Sequence, residues 1–178
     1  MIEFFLQACS LPLITEVRFQ PDYFSEYPQQ ISTSKDGTVS YSRQPGYYAV
    51  HYKQSNTVPS TAILVLNEGK IAVFAGEPNL EMTEMISPVY TLEGGSFAVP
   101  TGLVFIRFTE AIKVESQTAA IDQAGYEVAQ TLVYAPHAAW LRAKSGKISD
   151  ALQRITQLEA IPNVENVEPQ MLMARQQR

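Results

Sequence analysis

Few residues of this chain have the types and spacing that catalysis or metal binding requires. The sequence of 178 residues contains one cysteine, Cys9, and two histidines, His51 and His137. A zinc site needs four convergent ligands, so this composition argues against a Cys/His zinc site and rules out an internal disulfide. No serine lies in a Gly-x-Ser-x-Gly motif, and neither histidine has a neighbouring catalytic signature. We therefore predict that the chain is not an enzyme, holds no cofactor and uses both histidines structurally.

Carboxylates are the remaining candidates for binding a cation. Glu77, Glu81 and Glu84, with Glu93 nearby, form a local acidic cluster. Their spacing lacks the alternating oxygen ligands and the closing glutamate of a calcium loop, so we interpret them as a solvated acidic surface and predict no metal. The Gly94-Gly95 pair is not followed by Gly-Lys-Ser/Thr and therefore indicates a turn rather than a phosphate-binding loop.

Charge and hydropathy limit the partners and the location. Thirteen Lys and Arg against 18 Asp and Glu give a net charge of −5, which repels polyanions, so we expect no nucleic-acid partner. No run approaches the roughly 20 apolar residues that cross a bilayer, so we expect no membrane partner. The start resembles a lipoprotein signal only loosely, because Glu3 and a short apolar stretch precede Cys9. We expect a cytoplasmic location, with export as the weaker alternative, and we place residues 4–6 in the core.

Residues 1–101 are predicted to form a β-rich N-terminal region. Segments 38–41 and 47–52 flank the turn Gln44-Pro45-Gly46, as two strands of a hairpin would. Segments 62–66 and 70–75 repeat this pattern around Asn67-Glu68-Gly69. The spacing of Met82, Met85 and Ile86 predicts one or two helical turns over residues 81–87.

Residues 102–170 alternate between strand and helix patterns. Apolar spacing predicts strands at 103–108, 126–133, 137–143 and 164–167, and helices at about 114–124 and 148–158. Pro169 is expected to end the last strand, because proline has no amide hydrogen to donate. The order is β-α-β-β-α-β, which is typical of a ferredoxin-like antiparallel sheet with two helices on one face. We therefore predict an α+β chain, with residues 171–178 as a C-terminal tail.

This arrangement leaves one face of the sheet without helices. Phe105, Tyr126 and Trp140 are the large aromatic residues expected to point to that face. Either the β-rich first half or another protein must cover it. The oligomeric state is left open by the sequence.

Several short motifs of the C-terminal half indicate a known family. They are strand 103–108, the segment Ala124-Gly125-Tyr126-Glu127-Val128, strand 139–142, helix 148–158 and the sequence IPNVENVEP at 161–169. In these motifs residues 103–169 resemble the inhibitor-type propeptide domain of subtilisin-like serine proteases (subtilases). The last strand of that family ends in Glu-Pro, commonly followed by Asn or Asp, and Gln170 departs from this pattern. Residues 41–102 are similar, more weakly, to the upstream segment of longer bacterial subtilase propeptides.

The resemblance implies an intramolecular chaperone and inhibitor. Such domains dock their sheet against two surface helices of the protease, and the segment after the last strand runs into the substrate cleft by β-augmentation. Two glutamates beside the last strand would approach the N-termini of those helices, where negative charge is favoured. The residues to which the resemblance assigns partner binding are Glu165, Glu168, Pro169, Gln170, Met171, Leu172, Met173 and Ala174.

The protease itself is not encoded in these residues. A subtilase has His before Gly and Ser within Gly-Thr-Ser, and neither motif occurs here. The sequence therefore predicts a non-catalytic inhibitor or folding chaperone of a subtilisin-like serine protease, acting in cis or in trans. The alternative is a non-enzymatic protein-interaction module without a protease partner, using the open sheet face or the tyrosines of residues 41–52.

Overall fold

The computed structural model describes residues 22–33, 39–54, 58–92 and 95–174. Strands account for 46% of the described residues and helices for 17%, which makes a mostly antiparallel sheet with few helices, compatible with the predicted α+β class. Residues 4–6, which were expected in the core, lie outside the described residues, as do Cys9, Glu93 and the tail beyond Ala174.

Within the described residues nine strands form the sheet, and all their pairings are antiparallel. The strands are β1 (Gln30–Thr33), β2 (Val39–His51), β3 (Leu64–Leu66), β4 (Ile71–Ala75), β5 (Met85–Leu92), β6 (Phe97–Phe108), β7 (Tyr126–Thr131), β8 (Ala138–Ala143) and β9 (Val164–Met173). Their order is β3-β4-β2-β5-β6-β8-β7, with β1 added on β2 and β9 added on β6. The helices are α1 (Thr118–Gln123), α2 (Ile148–Gln153) and α3 (Ile155–Glu159), and short 3-10 turns lie at Asn67–Gly69 and Val114–Gln117.

In the C-terminal half the helices pack on one face of strands β9-β6-β8-β7. Alternation along β6 directs Val104, Ile106 and Phe108 to that face, where each is fully buried. They share a core with apolar side chains of the helices, including Ile121 and Leu158. The predicted helix over 148–158 is present but is divided at Arg154, where ψ is 9°. The helical pattern predicted over 114–124 starts as a 3-10 turn and continues as α1.

In the N-terminal half the sheet curls around a second apolar cluster. Val73 of β4, Val89 of β5 and Val99 of β6 are fully buried in it. Leu172, near the end of β9, packs against the same cluster as Ile71 of β4. Because β4 and β9 are separated by three strands in the sheet order, this contact requires strong curvature.

Two expectations for the N-terminal half are wrong, and one is confirmed. The hairpin predicted around Gln44-Pro45-Gly46 is instead the continuous strand β2, because Gly46 at φ +80° forms an irregularity within the β2–β5 pairing. The helix predicted over 81–87 is wrong, since residues 85–92 form β5 between β2 and β6. Pairing of Met85 with His51 of β2, and of the residues that follow it with the same strand, overrides the local spacing of Met82 and Met85. The hairpin around Asn67–Gly69 is confirmed as β3 and β4.

The expected end of the last strand at Pro169 is also wrong. Strand β9 continues to Met173, because β6 extends back to Phe97 and supplies a partner. The pairing shifts register between Pro100 and Val104, opposite the proline, and Gly102 at φ +89° lies in this irregular segment. The boundaries predicted at 101/102 and at 170/171 therefore fall inside β6 and β9.

Among the described residues, no helix is long and apolar enough to span a membrane.

Candidate functional site

The face of the C-terminal sheet opposite the helices carries an aromatic pair. Phe105 of β6 and Trp140 of β8 are direct cross-strand partners, and both are only partly buried. Their ring centroids lie 5.3 Å apart at an interplanar angle of 60°, an edge-to-face contact that adds about 0.5–1.5 kcal/mol to simple burial. We call this surface the aromatic face and define it by Leu103, Phe105 and Arg107 of β6 with Trp140 and Arg142 of β8.

Charged residues surround the aromatic pair. The Nε atom of Arg142 lies 2.5 Å from Oε1 of Glu127, and Nε of Arg107 lies 3.3 Å from Oε2 of Glu165. Each of these side chains is about half exposed, so the pairs add little to stability. An apolar centre with a charged, solvated rim is the usual anatomy of a protein-binding surface.

Glu168 links the last strand to this face. It is the cross-strand partner of Phe105, and its Oε1 accepts a hydrogen bond of 2.9 Å from Nδ2 of Asn166. Its carboxylate is exposed, as is that of Glu165. Both glutamates of β9 are thus available to solvent beside the aromatic face.

Tyr126 does not belong to the aromatic face, contrary to the prediction. Its side chain is fully buried on the helix side, and its hydroxyl donates a hydrogen bond of 2.7 Å to the carbonyl oxygen of Ala151. Burial raises the pKa of Tyr126. Arg107, Arg142 and Glu127 were not predicted as residues of this surface. The alternation of strands 103–108 and 139–142 nevertheless places the two arginines on the same side as Phe105 and Trp140.

The residues assigned to the substrate cleft form the end of a strand instead of an extended free segment. Met171, Leu172 and Met173 pair with Pro100, Val99 and Ala98 of β6. Leu172 is held by the second apolar cluster, whereas Ala174 lies beyond the strand and is exposed.

Gln170 and Pro169 join the two parts of β9. The hydroxyl of Thr101 donates a hydrogen bond of 2.7 Å to Oε1 of Gln170 and accepts one of 3.2 Å from the amide of Leu103. Pro169 is buried opposite Val104. These contacts bridge the position where the β6–β9 register shifts.

A cavity of about 350 Å³ lies where the curled sheet brings β2, β4, β6 and β9 together. Its lining includes His51, Lys70, Thr101 and Gln170. Nε2 of His51 lies 2.9 Å from the hydroxyl oxygen of Ser87, and this hydroxyl donates to the carbonyl of Pro88 at 3.2 Å. The imidazole is then the donor to Ser87, opposite to the arrangement that activates a serine nucleophile. Burial lowers the pKa of His51 to about 4, so the ring is neutral at pH 7.

Two glutamates of the acidic cluster at residues 77–84 accept hydrogen bonds from side-chain hydroxyls. Glu77 accepts one of 3.1 Å from the hydroxyl of Tyr23, and Glu84 accepts one of 3.4 Å from Thr83. Within the described part of the chain, no three His, Cys, Asp or Glu side chains lie close enough together to hold a metal ion.

The tyrosines of β2 serve mainly in packing. Tyr41 is buried in the core that the C-terminal helices share with Val104, Ile106 and Phe108. Tyr48 stacks on Phe74 with centroids 5.5 Å apart, and Tyr47 contacts Phe97 at 4.8 Å. The aromatic face is therefore the better candidate for an interaction surface.

Comparisons with protein-family models, with curated proteins and with solved structures found no match to this chain.

Proposed function

We propose that this chain is a non-catalytic protein-binding module that docks through its aromatic face. The observation that carries this proposal is the partly exposed Phe105–Trp140 pair at the centre of a sheet face with a charged rim. Aromatic residues and arginine are enriched among the side chains that dominate binding energy. A partner with an apolar surface could cover the two rings, while the rim residues remain hydrated.

We also propose that residues 102–170 have the ferredoxin-like arrangement and that the partner is a subtilisin-like serine protease, in cis or in trans. The strand order β9-β6-β8-β7, with the helices of the described residues packed on one face, supports this arrangement. The exposed Glu165 and Glu168 beside the free face suit contact with the positive N-terminal ends of partner helices. The choice of a protease as the partner rests on the resemblance of the motifs in residues 103–169 to subtilase propeptide domains.

Inhibition through the substrate cleft sets a further requirement. Met171, Leu172 and Met173 must leave β6 before they can pair with a protease groove. The register shift at Pro100–Val104 separates this short end from the rest of β9, so its release would leave the pairing of Asn166 with Arg107 in place. Inhibition by this route therefore competes with internal pairing, whereas docking of the aromatic face does not.

An inhibition assay with several subtilisin-type proteases tests these proposals. We expect the purified chain to inhibit at least one of them. Trp140→Ala should weaken inhibition about 10-fold or more, as expected for an aromatic anchor at an interface centre. Tyr134→Ser is the matched control, because Tyr134 is 86% exposed in the β7–β8 loop and lies outside the aromatic face.

A deletion of residues 170–178 separates the two parts of the proposal. We expect at least a 10-fold weaker inhibition from losing the cleft segment, an order-of-magnitude value for loss of a main contact. Unchanged inhibition by the shortened chain would reject cleft binding but keep docking. A chain that inhibits none of the proteases would reject the protease partner and leave the interaction module without a protease, the second candidate.

A further inference from the structure

The cavity of about 350 Å³ between β2, β4, β6 and β9 shares only Leu103 with the aromatic face. Small-molecule sites in proteins are typically clefts of about 300–1,000 Å³ with an apolar wall and a few convergent polar groups. The apolar wall of this cavity consists of Ile71 of β4, Leu103 of β6 and Leu172 of β9. The cavity therefore has the size and the kind of wall that a small ligand requires.

The charge of the lining comes from one lysine. Of the described residues that line the cavity, Lys70 is the only charged one, and it forms no ion pair with any carboxylate in the described part of the chain. Glu68 lies in the turn beside this site, and the charge of Glu84 raises the pKa of Tyr52, but neither carboxylate lines the cavity. An anionic ligand could therefore pair with Lys70 without displacing a protein carboxylate.

Two amide side chains add uncharged donors to this lining. Oε1 of Gln170 accepts the 2.7 Å hydrogen bond from Thr101, which leaves both N–H groups of Nε2 without a partner among the described residues. The side chain of Asn67, in the turn between β3 and β4, likewise has no hydrogen-bond partner there. Nε2 of His51 already donates to Ser87, so we do not count the imidazole as a donor. One ammonium and two amide groups are thus available to a ligand in the same cavity.

We propose that this cavity binds a small monocarboxylate with a short aliphatic chain. Lys70 pairs with the negative charge, and the amide groups of Asn67 and Gln170 donate hydrogen bonds to the carboxylate oxygens. The aliphatic chain contacts Leu103 and Leu172. Inorganic phosphate or a dicarboxylate fits less well, because the described lining supplies a single positive charge and an apolar wall.

The affinity of this site is expected to be modest. Lys70 is exposed, so its ammonium group remains partly hydrated when it pairs with a carboxylate. A ligand of this size makes few contacts, and we expect a dissociation constant on the order of 1 mM. Binding requires no protease and no other protein, so its failure would leave the proposed docking of the aromatic face unaffected.

An NMR titration of the full chain with sodium hexanoate tests the proposal, with hexanamide as an uncharged probe of the same length. We expect hexanoate to cause saturable shifts of the amide resonances of residues 51–52, 67–71, 101–103 and 170–172, and hexanamide to bind about 10-fold more weakly or worse. Lys70→Gln should weaken hexanoate binding about 10-fold, because it removes the charge that strengthens the hydrogen bond. The matched control is Lys113→Gln, since Lys113 is also exposed, forms no ion pair with the described residues and lies outside the cavity. It should bind hexanoate like the unmodified chain.

Four results would overturn the proposal. The first is the absence of saturable shifts at these residues up to about 20 mM hexanoate, roughly twenty times the expected dissociation constant. The second is hexanamide binding as tightly as hexanoate, and the third is inorganic phosphate doing so at the same resonances. The fourth is equal hexanoate affinity of the two lysine variants. The hexanamide and phosphate comparisons use the unmodified chain, so they decide the question even if Lys70→Gln fails to fold.

Discussion

Lowering the pH should destabilise the fold through His51. The ring is buried beside Ser87 in the N-terminal half, and burial lowers its pKa from 6.5 to about 4. In the unfolded chain the ring regains its ordinary pKa. Between these two values the unfolded state binds the proton and the folded state does not, so acid favours unfolding.

The size of the effect follows from the two pKa values. The free energy of unfolding is unaffected by His51 above about pH 7 and falls by up to about 1.4 kcal/mol per pH unit between pH 6.5 and pH 4. From pH 7.5 to pH 4.5 the expected loss is about 2.5 kcal/mol. Because the ring keeps a little contact with solvent, we regard this as an upper value. The effect of His51 on the free energy of unfolding becomes constant below the pKa that the ring has in the folded chain.

Urea unfolding of the chain and of His51→Gln across this pH range provides the assay. Glutamine can still donate a hydrogen bond towards Ser87 but does not titrate. We expect the variant to lose less stability than the unmodified chain on acidification, by about 2 kcal/mol at pH 4.5. Carboxylates titrate in both proteins, so the difference between the two profiles isolates the histidine. Parallel profiles would refute the reasoning, since they would mean that His51 takes up its proton equally well in both states.

Three further substitutions test individual contacts by thermal or urea unfolding. Gly102→Ala should lower the free energy of unfolding more than Gly146→Ala. Both glycines have positive φ, but an added Cβ at 102 would lie 3.2 Å from Cγ1 of Ile148, whereas the space at 146 is open. Equal losses would contradict the close approach. Tyr126→Phe should lower the free energy of unfolding by about 1–2 kcal/mol, because it leaves a buried carbonyl without its donor. Arg142→Ala should change stability by less than about 1 kcal/mol, because its ion pair is exposed, and a larger loss would show that the pair matters for folding.

Local patterns predicted the C-terminal half better than the N-terminal half. Ile148, Leu152 and Leu158 recur at helical spacing, and the helix and the strands around it lie close to where that spacing places them. Each helix and strand there has its own spacing of apolar residues, so a short window of sequence is sufficient to predict it. The exception is Tyr126. The side of the sheet to which it points depends on the register of β7, because a shift of one residue moves every side chain of a strand to the opposite face.

The errors arose where distant strands decide the structure. Gly46 has the local features of a hairpin turn, yet β5 and β4 pair along β2 and make it an irregularity inside one strand. Pro169 cannot donate to a ladder, but the register shift near Gly102 accommodates it. The element order predicts a sheet face opposite the helices. Predicting the charged rim of this face would also require the register of β8 with β6 and β7.

Strand β6 explains why the two halves of the chain depend on each other. Its first part pairs with β5 and with the end of β9, and its second part pairs with β8 and with the start of β9. Leu172 is partly buried against apolar side chains of the N-terminal half. A chain reduced to residues 102–178 would therefore lose the strand partner of Met171–Met173 and expose Leu172. That change would free the segment which cleft binding requires, so internal pairing in the full chain opposes the same contact that the proposed inhibitor makes.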